Sequence, residues 1–136
     1  MSYAHTITVA FPYEEAVTRT REALTGQGFG ILSEIDVRAT FEAKLGAGAG
    51  QNLGDYLILG ACNPALAQKA LASDPDMGLL LPCNVVIRRG PGSDSTVIQA
   101  IDPQTMVRLS DAPAVSEVAA DADIRLHAAL KDLETA

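Results

Sequence analysis

Asp55-Tyr56-Leu57-Ile58-Leu59-Gly60-Ala61-Cys62-Asn63-Pro64 is the stretch that decides how this chain folds. Its first eight residues carry apolar side chains on both parities, Tyr56 and Ile58 on one and Leu57, Leu59 and Ala61 on the other. That is the pattern of a strand with neighbours on both faces, so it reads as a central strand. Asn63 can accept from the first free amides of a helix, and Pro64 takes the first helical position, where a missing amide hydrogen costs nothing. The strand therefore passes directly into a capped helix, with Leu66, Ala67, Ala70 and Leu71 as its apolar face.

A second Cys-Asn pair opens the next extended run. Ser73-Asp74-Pro75 stops the helix, Gly78 and Pro82 frame Leu79-Leu80-Leu81, and Cys83-Asn84 begins a strand that reaches Arg89 with Val85 and Ile87 facing one way. Proline is tolerated at the start of such a strand. The turn Gly90-Pro91-Gly92-Ser93-Asp94 joins it to a strand over Thr96 to Ile101, the clearest hairpin in the chain. Asp102-Pro103 ends that strand, and Ser110-Asp111 reads as the cap of a long closing helix with Val115, Val118, Ala119, Ala122, Leu126, Ala129, Leu130 and Leu133 at helical period.

Upstream, a strand from His5 to Phe11 places Ile7 and Val9 on one side and ends at Pro12. Tyr13 to Thr25 is helical in period and stops at Gly26 and Gly28; Gly30 to Ile35 is a strand; Asp36 caps a short helix with Val37, Phe41 and Leu45 stacked one turn apart. The glycine-rich run Gly46 to Asn52 reads as a mobile loop. The order is β-α-β-(short α)-β-α-β-β-α in one domain, residues 1–136.

At 136 residues the chain can bury a core without disulfide or metal staples. That core is aliphatic, since aromatic residues are 4% and Trp is absent. Seventeen acidic against ten basic side chains give a net charge of -7, which repels phosphate backbones and anionic bilayers, so neither nucleic acid nor membrane is an expected partner. The N-terminal residues lack a basic patch followed by an apolar run, and no segment approaches the roughly 20 apolar residues of a membrane span. A cytoplasmic protein with two free thiols is the expectation.

If the strands ending at Cys62 and beginning at Cys83 are adjacent and antiparallel, the two cysteines share one end of the sheet; if a crossover makes them parallel, they lie at opposite ends. Three segments then carry a resemblance: Gln27 to Val37, Leu59-Gly60-Ala61-Cys62-Asn63-Pro64, and Gly78-Leu79-Leu80-Leu81-Pro82-Cys83-Asn84-Val85-Val86, together with Ile101-Asp102-Pro103 and a following Met. With these motifs the chain resembles the bacterial domain of unknown function family 302 over nearly its whole length. The resemblance implies a TATA-box-binding-protein-like α+β sandwich: a single curved, largely antiparallel sheet of about five strands with helices on one face. It thereby favours the antiparallel placement, and it implies no activity. The fold itself carries no DNA-binding inference.

Cys62, Asn63, Cys83 and Asn84 are the candidate ligand or thiol site. Cys62 precedes a helix N-terminus, which favours a thiolate, and is the candidate nucleophile; Cys83 is the candidate resolving thiol. The bland alternative is that both are small buried hydrophobes at strand ends, with Asn63 serving only as a cap and Asn84 satisfying a turn. Glu34, Asp36 and Asp102 join the site only if the strand ends converge. His5 reads as a strand-edge residue and His127 as the solvated partner of Asp123 one turn earlier. Two cysteines and two histidines near opposite termini do not compose a zinc set within one chain, so no metal is expected; only a dimer pooling ligands would complete one. Gly46 to Gly50 lacks the Lys-Ser/Thr of a phosphate loop, no cofactor motif is present, and no catalytic spacing appears. Two functions follow as expectations: a binding module for a small molecule or thiol at the Cys62/Cys83 sheet edge, or a non-catalytic homodimeric interaction domain.

Overall fold

The alternating apolar residues of the strands become one continuous wall. The computed structural model describes residues 2–136 and runs β1 (Ala4–Val9), α1 (Tyr13–Gly26), β2 (Gly30–Asp36), α2 (Val37–Leu45), α3 (Ala47–Leu53), β3 (Asp55–Cys62), α4 (Pro64–Ser73), a 3-10 helix (Pro75–Leu80), β4 (Cys83–Arg89), β5 (Thr96–Ile101), α5 (Gln104–Leu109) and α6 (Pro113–Glu134). The strands form one sheet in the order β1-β5-β4-β3-β2, with every adjacent pair antiparallel. The α+β class and the single antiparallel sheet expected from the sequence are those observed. β3 lies inside the sheet as expected, but the middle place belongs to β4.

Register explains the burial. Leu57, Ile87, Ile98 and Ile7 form one cross-strand row, and Leu59, Val85, Ala100 and His5 form the next. These rows face α1 and the C-terminal half of α6, whose Ala16, Leu24, Leu126, Ala129, Leu130 and Leu133 complete the main core. β3, β4 and β5 thus bury alternate side chains under helices, the arrangement a half-covered antiparallel sheet requires, whereas the edge strand β2 has no fully buried residue. A second cluster of Leu66, Ala70, Met77, Met106, Val115, Val118, Ala119 and Ala122 joins α4, the 3-10 helix, α5 and the first half of α6. The eight apolar positions of helical period expected from Val115 to Leu133 are the buried residues of α6.

Three elements differ from the sequence expectation. Ala47–Leu53 is a helix, not a mobile loop. Gly50 is buried there, and a β-carbon on it would collide with the Glu42 side chain, so the glycines that weaken a helix in isolation let α3 pack closely on α2. Gln104–Leu109 forms an additional helix that packs Met106 into the second cluster. α6 begins at Pro113 with Ala112, which has no capping side chain, at the cap position; the Ser110 hydroxyl donates to Asp74 Oδ2 at 2.6 Å and accepts from Ala112 N–H at 3.3 Å. The stacked side chains of α2 do form a helix, but none of its residues is buried.

Two tight features hold the end of the sheet where β4 turns into β5. Arg89 Nη1 donates to Phe11 O (3.1 Å) and to Thr96 Oγ1 (3.0 Å), while the fully buried Thr96 hydroxyl donates to Phe11 O at 2.8 Å. Gly54 enters β3 with φ +82, and a β-carbon on it would stand 2.5 Å from Arg89 O. Gly54→Ala combines left-handed strain with a backbone clash and is expected to lose about 2 kcal/mol or more. Leu126→Ala, at a fully buried position, is expected to lose about 3 kcal/mol through the cavity it leaves. Urea unfolding followed by far-UV circular dichroism checks both as a lower midpoint at unchanged slope.

Candidate functional site

The antiparallel pairing of β3 with β4 settles where the cysteines lie. Cys83 is directly opposite Ala61, so Cys62 and Cys83 are diagonal neighbours at the same end of the sheet. Strand geometry puts their α-carbons about 6 Å apart, inside the roughly 7 Å a disulfide needs. Alternation works against a bridge, however, since Cys83 shares the helix-facing row with Ala61 and Cys62 is one residue out of phase. Both thiols are free. Cys62 is partly exposed and Cys83 is buried. Burial, and to a lesser degree the neighbouring Cys62, pushes the Cys83 thiol up to about 11.

Asn63 is the N-cap the sequence predicts, with its Oδ1 accepting from Leu66 N–H at 3.2 Å. Its backbone extends Cys62 out of β3 at the point where the free amides of α4 begin. Cys62, Asn63 and Cys83 border one crevice against Phe29, Leu66 and Met106. The void there is about 20 Å³, room for a single water-sized molecule.

Asn84 does not join this group. It pairs with Gly60 on the opposite face of the sheet, exposed, beside a shallow depression of about 480 Å³ that Tyr56, Val86 and Gln99 also border. The three carboxylates have other tasks. Asp36 caps α2 by accepting from Ala39 N–H at 2.9 Å, Glu34 is paired with Arg21, and Asp102 accepts from Gln104 N–H at 2.9 Å.

One residue absent from the sequence reading reaches the thiol end. Arg125, on α6, bonds Asp121 Oδ1 at 2.7 Å and Gln27 O at 2.9 Å. Gly28, with φ +86, leaves space for it: a β-carbon there would meet Arg125 Nη1 at 2.9 Å and Asn63 Nδ2 at 3.1 Å. Only a left-handed glycine lets the guanidinium and the Asn63 amide converge over Gly28. The sequence signal was the Asp121-Arg125 spacing of one helical turn.

The same end of the sheet carries a second cluster at its β1 edge. His5 Nε2 lies 2.8 Å from Asp123 Oδ1 and 3.1 Å from His127 Nε2. His127 Nε2 lies 3.5 Å from Asp123 Oδ1, and Asp102 Oδ1 lies 3.7 Å from His5 Nε2. Residues 122 positions apart thus meet within one chain, where the sequence suggested pooling across a dimer. His5 is placed by the parity it shares with Ile7, which turns it toward α6.

Among the described residues no helix is long and apolar enough to cross a membrane. No match was found among curated proteins. The crystal structure of an uncharacterized conserved protein DUF302 from Bacillus stearothermophilus is similar over 98% of this chain and 99% of that one, with a TM-score of 0.85 and 29% sequence identity. That likeness extends through both cores and the β3-α4 joint, and the profile of DUF302, a domain of unknown function, matches residues 5–133. With the family matched over residues 5–133 and a solved member of like fold over 98% of the chain, the chain belongs to the DUF302 family.

Proposed function

We propose that this domain is a thiol-linked binding module, working in a reducing cytoplasm, in which Cys62 carries the ligand at the joint between β3 and α4. The observation that carries this reading is the contrast between the two cysteines: one partly exposed at a helix start, the other buried beside it. A crevice of about 20 Å³ admits no metabolite, so a ligand held here must be attached through sulfur with its body outside. In the simplest reaction the Cys62 thiolate attacks one sulfur of a low-molecular-weight disulfide. A new Cys62–S–S–R bond forms, the old S–S bond breaks, and the departing thiolate takes up a proton. The first turn of α4, with its positive dipole end, supplies surroundings suited to an anionic attached group.

Cys83 decides whether that adduct is resolved from within the chain. At pH 8, three units below the value of about 11, on the order of one Cys83 in a thousand is ionised. Its attack on the mixed disulfide is slow for that reason and because alternation turns it away, so the adduct is released by an external thiol and not from within the chain. Oxidised glutathione at pH 8 is expected to add one glutathionyl group to Cys62 by intact mass, to add none to Cys62→Ser, and to leave the adduct unresolved. Iodoacetamide is expected to modify Cys62 at least about a hundredfold faster than Cys83 in the native protein. Equal reactivity, or prompt conversion to an internal disulfide, overturns the reading. As stability, the raised Cys83 value stabilises the fold below the ordinary thiol pKa, and that contribution is lost as pH rises toward 11.

A second reading, the homodimeric interaction domain, is favoured by one feature: the face of the sheet away from α1 and α6 carries the half-buried Tyr56, Ile58, Val86 and Val97 around an Arg88-Gln99 hydrogen bond. An apolar sheet face of this kind suits isologous pairing. Sedimentation velocity tests it: a dimer in the wild type that Val86→Lys converts to monomer supports the reading, and a monomeric wild type removes it.

A further inference from the structure

We propose that His5, Asp123 and His127 form a binding site for a divalent transition metal of the zinc class. Three donor atoms from two elements, His5 Nε2 on β1 with Asp123 Oδ1 and His127 Nε2 on α6, close a triangle with edges of 2.8, 3.1 and 3.5 Å. A tetrahedral ion bound at about 2.0–2.1 Å spaces its ligand atoms about 3.3 Å apart. The triangle is therefore close to one face of such a tetrahedron, and the fourth corner is left to solvent or to an exogenous ligand.

Proton accounting points the same way. A neutral imidazole Nε2 carries either one hydrogen or one lone pair, and a carboxylate only accepts. His5 Nε2 must donate to Asp123, and it then has no lone pair for His127; no neutral tautomer gives both short contacts a proton of their own. A cation among the three atoms uses one lone pair from each and resolves the conflict. Two imidazoles and one carboxylate are borderline ligands that suit zinc, cobalt or nickel better than magnesium or calcium.

The surroundings fit this role. Asp123 and His127 are one helical turn apart, so a single face of α6 presents both. Asp102 Oδ1, 3.7 Å from His5 Nε2, adds a negative charge beside the triangle and is itself fixed by the Gln104 amide. The His5, Asp123 and His127 side chains are 22, 29 and 56% exposed, which leaves an ion a path from solvent. The site is separate from the thiols.

The test is titration of zinc and cobalt into the full-length chain carrying Cys62→Ser and Cys83→Ala, which removes competing sulfur ligands. One equivalent is expected to bind, with the intense visible bands of a tetrahedral centre in the cobalt form, and His127→Gln and Asp123→Asn are each expected to weaken binding at least tenfold. On the wild-type chain, zinc added in excess over both free thiols is expected to shift the ring-nitrogen NMR signals of both histidines, a readout that does not depend on any variant folding. Absence of zinc binding at millimolar concentration, wild-type affinity in His127→Gln, or unmoved imidazole signals overturns the proposal. Because the thiols are absent from the titrated chain, its outcome is independent of the adduct on Cys62.

Discussion

The burial of α6 against two separate apolar clusters is the interaction on which the rest of this structure depends. Its second half supplies Leu126, Ala129, Leu130 and Leu133 to the sheet core, and its first half supplies Val115, Val118, Ala119 and Ala122 to the cluster built on α4 and α5. No other helix contributes to both. At 22 residues it spans about 33 Å, enough to reach from one cluster to the other. A five-stranded sheet covered by α1 alone would leave most of one row of Val, Ile and Leu to water, and at about 25 cal/mol per Å² that exposure would outweigh the marginal stability of a domain this size.

Polar residues on α6 follow from the same docking. Once the apolar stripe is fixed against the sheet, the acid-base pairs Asp121-Arg125 and Asp123-His127 are fixed too, one directed at Gln27 and Gly28 and the other at β1. The helix that builds the core therefore also sets the charge around the cysteines and brings two histidines into contact. These positions need no conformational change to assemble. They are consequences of register and helical period alone.

Much of this was legible in the sequence because it is local. The strand-to-cap step at Cys62-Asn63-Pro64, the β4-β5 hairpin and the buried stripe of α6 are each written within a window of residues that touch one another. What escaped was written elsewhere. α3 is a helix because Gly50 packs on Glu42, a tertiary contact that overrides the weak propensity of Ala47 to Asn52. His5 and His127 meet only because β1 takes the edge next to β5, a matter of strand order. Adjacency in the chain groups Asn84 with the cysteines, yet its parity is opposite to that of Cys83 and Val85, which sends it to the far face. Function was legible only as an address, since neither motif nor spacing named a reaction, and family membership adds a fold without an activity.

The strand directions have a practical consequence. β3 and β5 end where β1, β2 and β4 begin, so Cys62, Cys83, His5 and Asp102 are gathered at one pole of the sheet. The opposite pole, with the Gly90–Asp94 turn and the Arg89-Thr96-Phe11 bonds, contains neither cysteine nor histidine. The molecule is thus polarised, with both cysteines and the His5 cluster at one end of the sheet and neither at the other. A surface tether or reporter attached at the Gly90–Asp94 turn would orient every immobilised copy with its cysteine and histidine pole toward the bulk solution.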